Sequence, residues 1–261
     1  MVFSYGGYSS LGHNRDVNED FVYVKELGSN TLLTIVADGN GSAPSTLQPA
    51  QIAARHIGSF IENIFDNGNN EKLLVDNAAV LLKEALISVN HEIGAFRTAN
   101  EEIYSGFSCA ITCALFGTDS NGVDRMTYAH VGNTRMFLIR RSTDGNVAIR
   151  QLTKDQTVAQ KLVDDKLISE EQYYYVPERN QLLCPLGLFS SPQIDTFSGK
   201  IKKDCLFLLT TDGIHYAIKP TPMAELVLSS EDLDNASRIL CDAAESLHYN
   251  DDYAAVLIRC N

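Results

Sequence analysis

The chain has 261 residues, of which 44% are hydrophobic and 21% charged, a composition typical of a globular protein. Its formal net charge is −12. This acidic balance argues against a nucleic-acid-binding protein, which needs basic surface to displace counterions from phosphates. An anionic substrate would also need a bound cation to change the local sign of the charge.

The six cysteines lack the paired spacing of a zinc site, and we expect reduced thiols in a cytoplasmic protein. The first residues, MVFSYGGYSS, lack the basic and apolar regions of a signal peptide. No apolar stretch approaches the roughly 20 residues that span a bilayer. We therefore expect a cytoplasmic monomer that binds neither membrane nor nucleic acid.

Segments rich in β-branched and aromatic residues, separated by Gly, Asn and Asp, predict β-strands. In chain order these are Phe21–Val24, Thr31–Val36, Ser108–Phe116, Arg125–His130, Arg135–Arg140, Val147–Leu152, Cys205–Thr210 and Tyr253–Cys260. The sequence STDGN at 142–146 predicts a hairpin turn between two of them.

Apolar residues at helical spacing predict two long helices, Leu47–Ile64 and Leu73–Ala95, and a third over Asp232–Leu247. Two adjacent long helices do not fit a strict alternation of strand and helix. They indicate an α+β sandwich in which sheets and helix pairs form layers. No linker, repeat or low-complexity tract divides the chain, so residues 1–261 are predicted to form one domain.

The segment from Thr153 to Leu186 is polar and amphipathic, unlike its surroundings. It predicts short helices near Val158–Asp165 and Ser169–Tyr173, followed by an irregular stretch. Long excursions between strands are often functional loops, so we predict a mobile lid at about 153–186.

Acidic residues flank four of the predicted strands: Glu19 and Asp20, Asp38, Asp212, and Asp251 with Asp252. An Asp-Gly pair after a strand is usually only a turn, but four acidic strand ends that cluster would repel one another. Such a cluster supplies the hard oxygen ligands that Mg²⁺ and Mn²⁺ require. Asp38 is therefore predicted to end its strand at a metal, and Gly39 to let the backbone turn so that its carbonyl approaches the ion.

The motifs along nearly the whole chain occur in the order RDVNED, VADGNGS, SGFSCAITCALF, AHVGNTRMFLIR, LTKDQT, PERNQLLCPLG, LLTTDGIHYAI and NDDYAAVLI. In this order they resemble the metal-dependent protein phosphatases of type 2C, in their compact bacterial form. The resemblance implies a sandwich of two antiparallel β-sheets flanked by pairs of antiparallel helices. It also implies a binuclear Mg²⁺ or Mn²⁺ centre that hydrolyses phosphoserine and phosphothreonine. The implied partners are a phosphorylated protein substrate and a cognate Ser/Thr kinase.

The resemblance assigns the metal ligands motif by motif. Asp38 would bridge both ions. Glu19 and the carbonyl of Gly39 would bind one ion, and Asp212 and Asp251 would bind the other. Two metal ions can generate a hydroxide near neutral pH, so no protein nucleophile is needed.

Catalytic roles follow from the resemblance for three further residues. Asp20 would hold a water on the metal centre. Arg15 would bind the phosphate, because its planar fork matches phosphate oxygens. Asn40 stands where many relatives carry histidine as a candidate general acid, and an amide cannot deliver a proton at neutral pH.

Other positions also depart from the pattern of the family. Asn133 replaces an aspartate that relatives use for a third metal ion, so we expect a third ion to be weak or absent. Asp252 and Ala254 stand where Asn and Thr are frequent, while Asp251 remains in the metal position.

Two alternatives to a protein phosphatase stay open. A pseudophosphatase would use the same fold to bind a phosphoprotein or another partner without turnover, although the complete set of acidic residues favours catalysis. A phosphatase of small phospho-metabolites would need the lid to close over a small pocket. The histidines show no paired spacing, which argues against a zinc hydrolase.

Overall fold

The computed structural model describes residues 1–41, 48–68, 70–100, 102, 106–141, 145–247 and 249–261. Its strands are β1 (Phe3–Ser10), β2 (Asp20–Glu26), β3 (Leu32–Asn40), β4 (Ser108–Thr118), β5 (Asp124–Val131), β6 (Arg135–Arg141), β7 (Val147–Gln151), β8 (Asp195–Lys200), β9 (Leu206–Thr210) and β10 (Tyr253–Cys260). Its α-helices are α1 (Pro49–Gly68), α2 (Glu71–Asp76), α3 (Ala78–Ala99), α4 (Val158–Asp164), α5 (Asp212–Ala217), α6 (Pro220–Leu228) and α7 (Leu233–Ser246). Short 3₁₀ helices cover Gln172–Tyr175 and Pro177–Asn180.

The strands form two antiparallel sheets of five strands each. One sheet has the order β1-β10-β9-β6-β7 and the other the order β2-β3-β4-β5-β8. Helices α1 and α3 pack on the second sheet, and α6 and α7 pack on the first. The predicted α+β sandwich, flanked by helix pairs, is thus confirmed. Among the described residues, no helix is both long and apolar enough to cross a bilayer.

Three hydrophobic cores hold these layers together: one between each sheet and its helices, and one between the two sheets. Alternate residues of a central strand feed different cores, because successive side chains point to opposite faces. In β3, Ile35 packs against the helices and Val36 packs between the sheets. This burial on both faces explains why the central strands are continuous apolar runs in the sequence.

Strands β1 and β8 have no counterpart among the sequence predictions. Both are edge strands with largely half-exposed or exposed residues, so neither carries a long apolar signal. In β1, a Cβ at Gly6 would lie 2.2 Å from the backbone nitrogen of Asp234. Glycine at this position therefore lets helix α7 approach the strand closely.

The predicted helix Leu73–Ala95 is two helices, because Asn77 interrupts it between α2 and α3. The side chain of Asn77 donates to the carbonyl of Leu73 at 2.8 Å, while the apolar periodicity continues across the break. Helices α5 and α6 were not predicted. Of the predicted hairpin turn at 142–146, residues 142–144 lie outside the described residues, as does Leu47, the predicted start of the first helix.

The segment 153–186 has buried attachments at both ends. Asp155 is buried against Arg135, Tyr173 is buried further along, and Leu186 belongs to the core under α3. Helix α4 confirms the first predicted helix, whereas a 3₁₀ turn at 172–175 replaces the second. Most of the residues at 164–172 are exposed.

Candidate metal centre

The acidic residues meet at one end of the sandwich, where four antiparallel strands begin or end. Asp20, the first residue of β2, lies opposite Asp38 on β3. Asp38 shares the face of β3 that carries Val36, so its side chain lies on the side between the two sheets. The other sheet contributes Asp212 after β9 and Asp251 before β10.

The prediction that Asp38 ends its strand is wrong, because β3 continues to Asn40. Gly39 accordingly makes no turn. Its amide donates to the carbonyl of Glu19 at 3.0 Å, and a Cβ there would lie 2.8 Å from that carbonyl oxygen and 3.1 Å from Cγ of Pro49. Glycine is needed here because the chain before β2 and the start of α1 pack closely against the strand.

Asp212 is the first residue of helix α5, so its Asp-Gly pair begins a helix instead of making a turn. A Cβ at Gly213 would lie 2.0 Å from the carbonyl oxygen of Asp252, which requires glycine at that point. The close approach brings the helix that carries Asp212 against the chain that carries Asp251.

Asp252 has a structural function that the sequence did not reveal. Its carboxylate accepts from the amides of Gly12 and Glu19, each at 2.8 Å, and the side chain is buried. It therefore fixes the loop that carries Arg15 and Glu19 to the start of β10. The two bonds span more than 230 residues of sequence, so no local pattern could have indicated them.

Asp20 lies behind the cluster. It is buried, and its Oδ2 accepts from the hydroxyl of Thr211 at 2.6 Å, a bond that joins the two sheets. Thr211 in turn accepts from the amide of Ala254 at 2.9 Å. The orientation of the Asp20 carboxylate is thus set by the strand ends of the opposite sheet.

Arg15 lies among the carboxylates and pairs with two of them. Its Nη1 is 3.3 Å from Oε2 of Glu19, and its Nη2 donates to Oδ1 of Asp251. The side chain is 33% exposed, which leaves the guanidinium within reach of a bound molecule.

These residues surround an open cavity of about 320 Å³. Its polar lining is Arg15, Glu19, Asp38, Gly39, Asn40, Asn133, Asp212 and Asp251, together with Ser108 and Asn180. Asp20 is the one predicted site residue that is not part of this lining. In the part of the chain that the structure describes, no three His, Cys, Asp or Glu side chains converge as a preformed site for a single ion.

The carboxylates repel one another strongly. Burial, followed by the charge of neighbouring aspartates, raises the pKa of Asp38 well above its ordinary range. Burial and the charge of Asp251 raise the pKa of Asp212 to about 7, and burial raises the pKa of Asp20 and Asp251 in the same direction. Gathering these groups is unfavourable unless a cation is bound between them. The all-oxygen donor set matches Mg²⁺ or Mn²⁺, so the residues present fit the implied metals.

The two asparagines at departures from the family pattern lie in different surroundings. Asn133 is buried, and its Nδ2 donates to Oδ2 of Asp212 at 2.8 Å. Its Oδ1 is buried and has no hydrogen-bond partner among the described residues. Asn40 is exposed at the end of β3, and its Nδ2 lies 3.4 Å from the carbonyl of Gly106.

The chain is similar to known proteins over most of its length. The family model described as protein phosphatase 2C matches residues 7–249. The serine/threonine phosphatase Stp of Listeria monocytogenes is 25% identical over 248 residues, which cover 95% of this chain and 92% of that protein.

The fold is also similar to solved structures. The crystal structure of the Mycobacterium tuberculosis serine/threonine phosphatase PstP/Ppp has a TM-score of 0.80 at 23% identity, with 100% of both chains covered. The catalytic domain of PstP in complex with two manganese ions has a TM-score of 0.74 at 23% identity, covering 99% of this chain and 98% of that one. Since the family model spans most of the sequence, the chain belongs to the protein phosphatase 2C family.

Proposed function

We propose that this chain is a protein phosphatase that hydrolyses phosphoserine and phosphothreonine with the help of two Mn²⁺ or Mg²⁺ ions. The observation that carries the proposal is the cavity, in which four carboxylates and one arginine face the same space. A protein that only bound a phosphoprotein would gain nothing from carboxylates that repel both one another and the phosphate. The pseudophosphatase alternative is therefore disfavoured.

The metal ligands in this proposal are the residues that line the cavity. Asp38 would be shared by both ions, Glu19 and the carbonyl of Gly39 would complete one site, and Asp212 and Asp251 the other. Bound there, two divalent ions would supply a hydroxide near neutral pH and stabilise the charge on the attacking and leaving oxygens. The buried Asp252, through its bonds to the loop before β2, keeps Glu19 in place.

Arg15 is proposed to bind the substrate phosphate. Its guanidinium fork, which pairs with Glu19 and Asp251 in this structure, has the geometry to pair with two phosphate oxygens instead. Because the fork stands at the cavity, it would orient the phosphate toward the carboxylates.

Asp20 is proposed to act on the attacking water from behind the metal ligands, and Asn40 is proposed to act on the leaving oxygen. Thr211 fixes one oxygen of Asp20, and this orients the carboxylate as an acceptor that holds the attacking water. Asn40, at the mouth of the cavity, can donate a hydrogen bond to the leaving oxygen. An amide has no proton to give at neutral pH, so the leaving group must obtain its proton from water.

We further propose that residues 1–261 act as one phosphatase domain in which residues 153–186 form the lid beside the cavity. A cytoplasmic location, a monomeric state and a cognate Ser/Thr kinase belong to the same proposal. The unpaired cysteines of the described chain support the cytoplasmic location, and a phosphoprotein substrate implies a kinase that phosphorylates it.

The function is tested by phosphate release from phosphoserine, phosphothreonine and phosphotyrosine peptides in Mn²⁺ and in EDTA. We expect Mn²⁺-dependent release from the first two peptides. Asp38→Asn should reduce it to background without unfolding the protein. Asp165→Asn, a matched change at a half-exposed carboxylate of the lid, should leave phosphate release unchanged. Release in EDTA, or unchanged release by Asp38→Asn, would contradict the mechanism, and tight binding without release would favour the pseudophosphatase.

A further inference from the structure

Part of the cavity lining is apolar and is not explained by metal or phosphate binding. Ala110 on β4 and Leu182, Pro185 and Leu188 of the loop before β8 contribute this surface. Metal ions and Arg15 would bind a phosphate through its charge, so the leucine side chains do not contribute to phosphate binding. Ligand sites generally combine a few oriented polar groups with apolar walls that contact the rest of the ligand.

The loop 182–189 that carries the leucines is held rigidly. Cys109 and Leu186 exchange two backbone hydrogen bonds, at 3.1 and 2.9 Å. Asn90 of α3 accepts from the amide of Gly187 at 2.8 Å and donates to the carbonyl of Phe189 at 3.0 Å. The loop is therefore fixed at its middle to both β4 and α3.

Gly187 makes this attachment possible. Its φ is +90°, a conformation that favours glycine, and a Cβ there would lie 2.3 Å from Cγ2 of Ile93. The carbonyl of Gly187 also accepts from Nε of Arg97 at 3.0 Å. The loop thus turns sharply against α3 and presents the residues on either side of the turn to the cavity.

The leucines of the loop divide into three environments. Leu186 is fully buried in the core under α3. Leu182 and Leu188 are half-buried, line the cavity, and are not part of the three cores in the described chain. Leu183 is 38% exposed and lines a separate polar pocket beside Asp155 and Asp195. Two half-buried leucines on a rigid loop therefore line the cavity of the candidate metal centre and lie outside the three hydrophobic cores of the described chain.

We propose that this leucine wall, formed by Leu182 and Leu188, binds an apolar side chain adjacent to the phosphorylated residue of the substrate. The inference rests on the proposed function and names its substrate class: phosphoproteins with an aliphatic or aromatic residue next to phosphoserine or phosphothreonine. An acidic neighbour would be disfavoured, since it loses the apolar contact and would have to be desolvated against the leucines. Phe189, 51% exposed and next to Leu188, extends the apolar character of the loop outward.

The test compares two phosphothreonine peptides that differ only in the residues flanking the phosphothreonine, which are leucine in one and serine in the other. We expect kcat/KM to favour the leucine peptide by about 5–10-fold, below the ratio of an enclosed pocket because this wall is open to solvent. The ratio of the two values does not depend on the fraction of active protein. It therefore stays informative for a variant that folds less well.

Three variants complete the experiment. Leu188→Ser and Leu182→Ser should each lower the ratio toward one, and Leu183→Ser, the matched change in the same loop but outside the cavity, should keep it. A native ratio near one, a ratio that survives both cavity variants, or an equal loss in Leu183→Ser would overturn the proposal.

If the proposed function is wrong, neither peptide will be hydrolysed, which distinguishes this outcome from the failure of the leucine wall alone. The same peptides, labelled and titrated with the chain in Mn²⁺, would then give affinities by fluorescence anisotropy. Tighter binding of the leucine peptide, lost in Leu188→Ser, would uphold the wall, and equal affinities would overturn it.

Discussion

Arg15 and Arg135 both pair with carboxylates, but the two ion pairs have different surroundings. The Arg15 side chain is 33% exposed and divides its contacts between Glu19 and Asp251. The Arg135 side chain is 4% exposed and makes two bonds, at 2.9 and 2.7 Å, to Asp155, whose side chain is fully buried.

The aromatic residues around Arg135 add to the difference between the two ion pairs. The guanidinium of Arg135 lies 5.7 and 5.5 Å from the ring centroids of Tyr173 and Tyr216, and the Tyr173 hydroxyl also donates to Asp155. Nε and Nη2 of Arg135 and both carboxylate oxygens of Asp155 are thus engaged inside the protein. The two arginines therefore have different roles: the enclosed pair is part of the packed interior, and the shared, open pair is available for a ligand.

The largest effect is expected at the buried pair. Arg135→Met leaves Asp155 buried without its counter-charge, which should lower the free energy of unfolding by about 3–5 kcal/mol. Urea denaturation measures this loss. The double variant Arg135→Met/Asp155→Leu should recover most of it, because the unpaired charge is gone. A loss below about 1 kcal/mol in the single variant would mean that the pair is not structural.

At the open pair, Arg15→Ala should spare the fold and impair the reaction. We expect kcat/KM to fall about 10²-fold, as when one donor to a developing anion is removed, while the free energy of unfolding changes by less than about 1 kcal/mol. Steady-state kinetics and urea denaturation give both values. The variant Arg15→Lys keeps the charge but loses the fork, so its kcat/KM should lie between those of the native chain and Arg15→Ala. Full activity in Arg15→Ala would assign phosphate binding to another group.

The carboxylates around Arg15 should also make the stability of the metal-free protein depend on pH. The folded-state pKa of Asp212 is raised to about 7 from an ordinary value of 3.8, so the folded protein binds more protons between these values. Its contribution to stability is full below about pH 4 and is lost as the pH rises through about 7. Urea midpoints in EDTA should show this loss, and Asp212→Asn should reduce it. An identical profile in the variant would contradict the raised pKa.

A smaller effect is expected at Asn40, near the mouth of the same cavity. Asn40→His adds a group that can protonate the leaving oxygen, and full general-acid catalysis is worth about 10²–10⁴-fold. Because residue 40 is exposed, we expect less than about 10-fold on a phosphoserine peptide. The gain on p-nitrophenyl phosphate, whose leaving group needs no proton, should be smaller still. Equal changes for both substrates at saturating Mn²⁺ would show that residue 40 is not a general-acid position.

The smallest effect concerns the third ion. The Nδ2 group of Asn133 donates a hydrogen bond to Oδ2 of Asp212, so the amide offers that carboxylate a hydrogen bond in place of a cation. Asn133→Asp should add one weak Mn²⁺ site and change turnover little. Metal titration of the native chain and the variant measures the difference. A third occupied ion at millimolar Mn²⁺ in the native chain would refute this interpretation.

The strand pattern could be predicted where both faces of a strand are buried, as in β3, β4, β9 and β10. Their apolar runs are dictated by two cores at once and are visible in a single sequence. The edge strands β2 and β7 were also predicted, because they carry β-branched residues. The edge strands β1 and β8 contain serine and glycine, and their pairing is decided by partners distant in sequence.

The candidate centre shows the same division. Asp38 and Asp212 could be predicted because each follows an apolar run in the sequence, and the topology alone brings them together. No local pattern in the sequence encodes the hydrogen bond from the amide of Glu19 to Asp252 or the burial of Arg135 against Asp155. The interpretation of Gly39 as a turn failed for a related reason: the close approach that requires glycine comes from Pro49 and Glu19, not from its own strand.

The central claim is that the acidic end of the sandwich holds two divalent ions, with Asp38 shared between them. Isothermal titration of the native chain with Mn²⁺, beside the Asp38→Asn variant, tests it directly. We predict two bound ions per native chain and the loss of at least one in the variant, with both proteins folded by circular dichroism. A native chain that binds no Mn²⁺ at millimolar concentration, or a variant that still binds two ions with native affinity, would contradict the account.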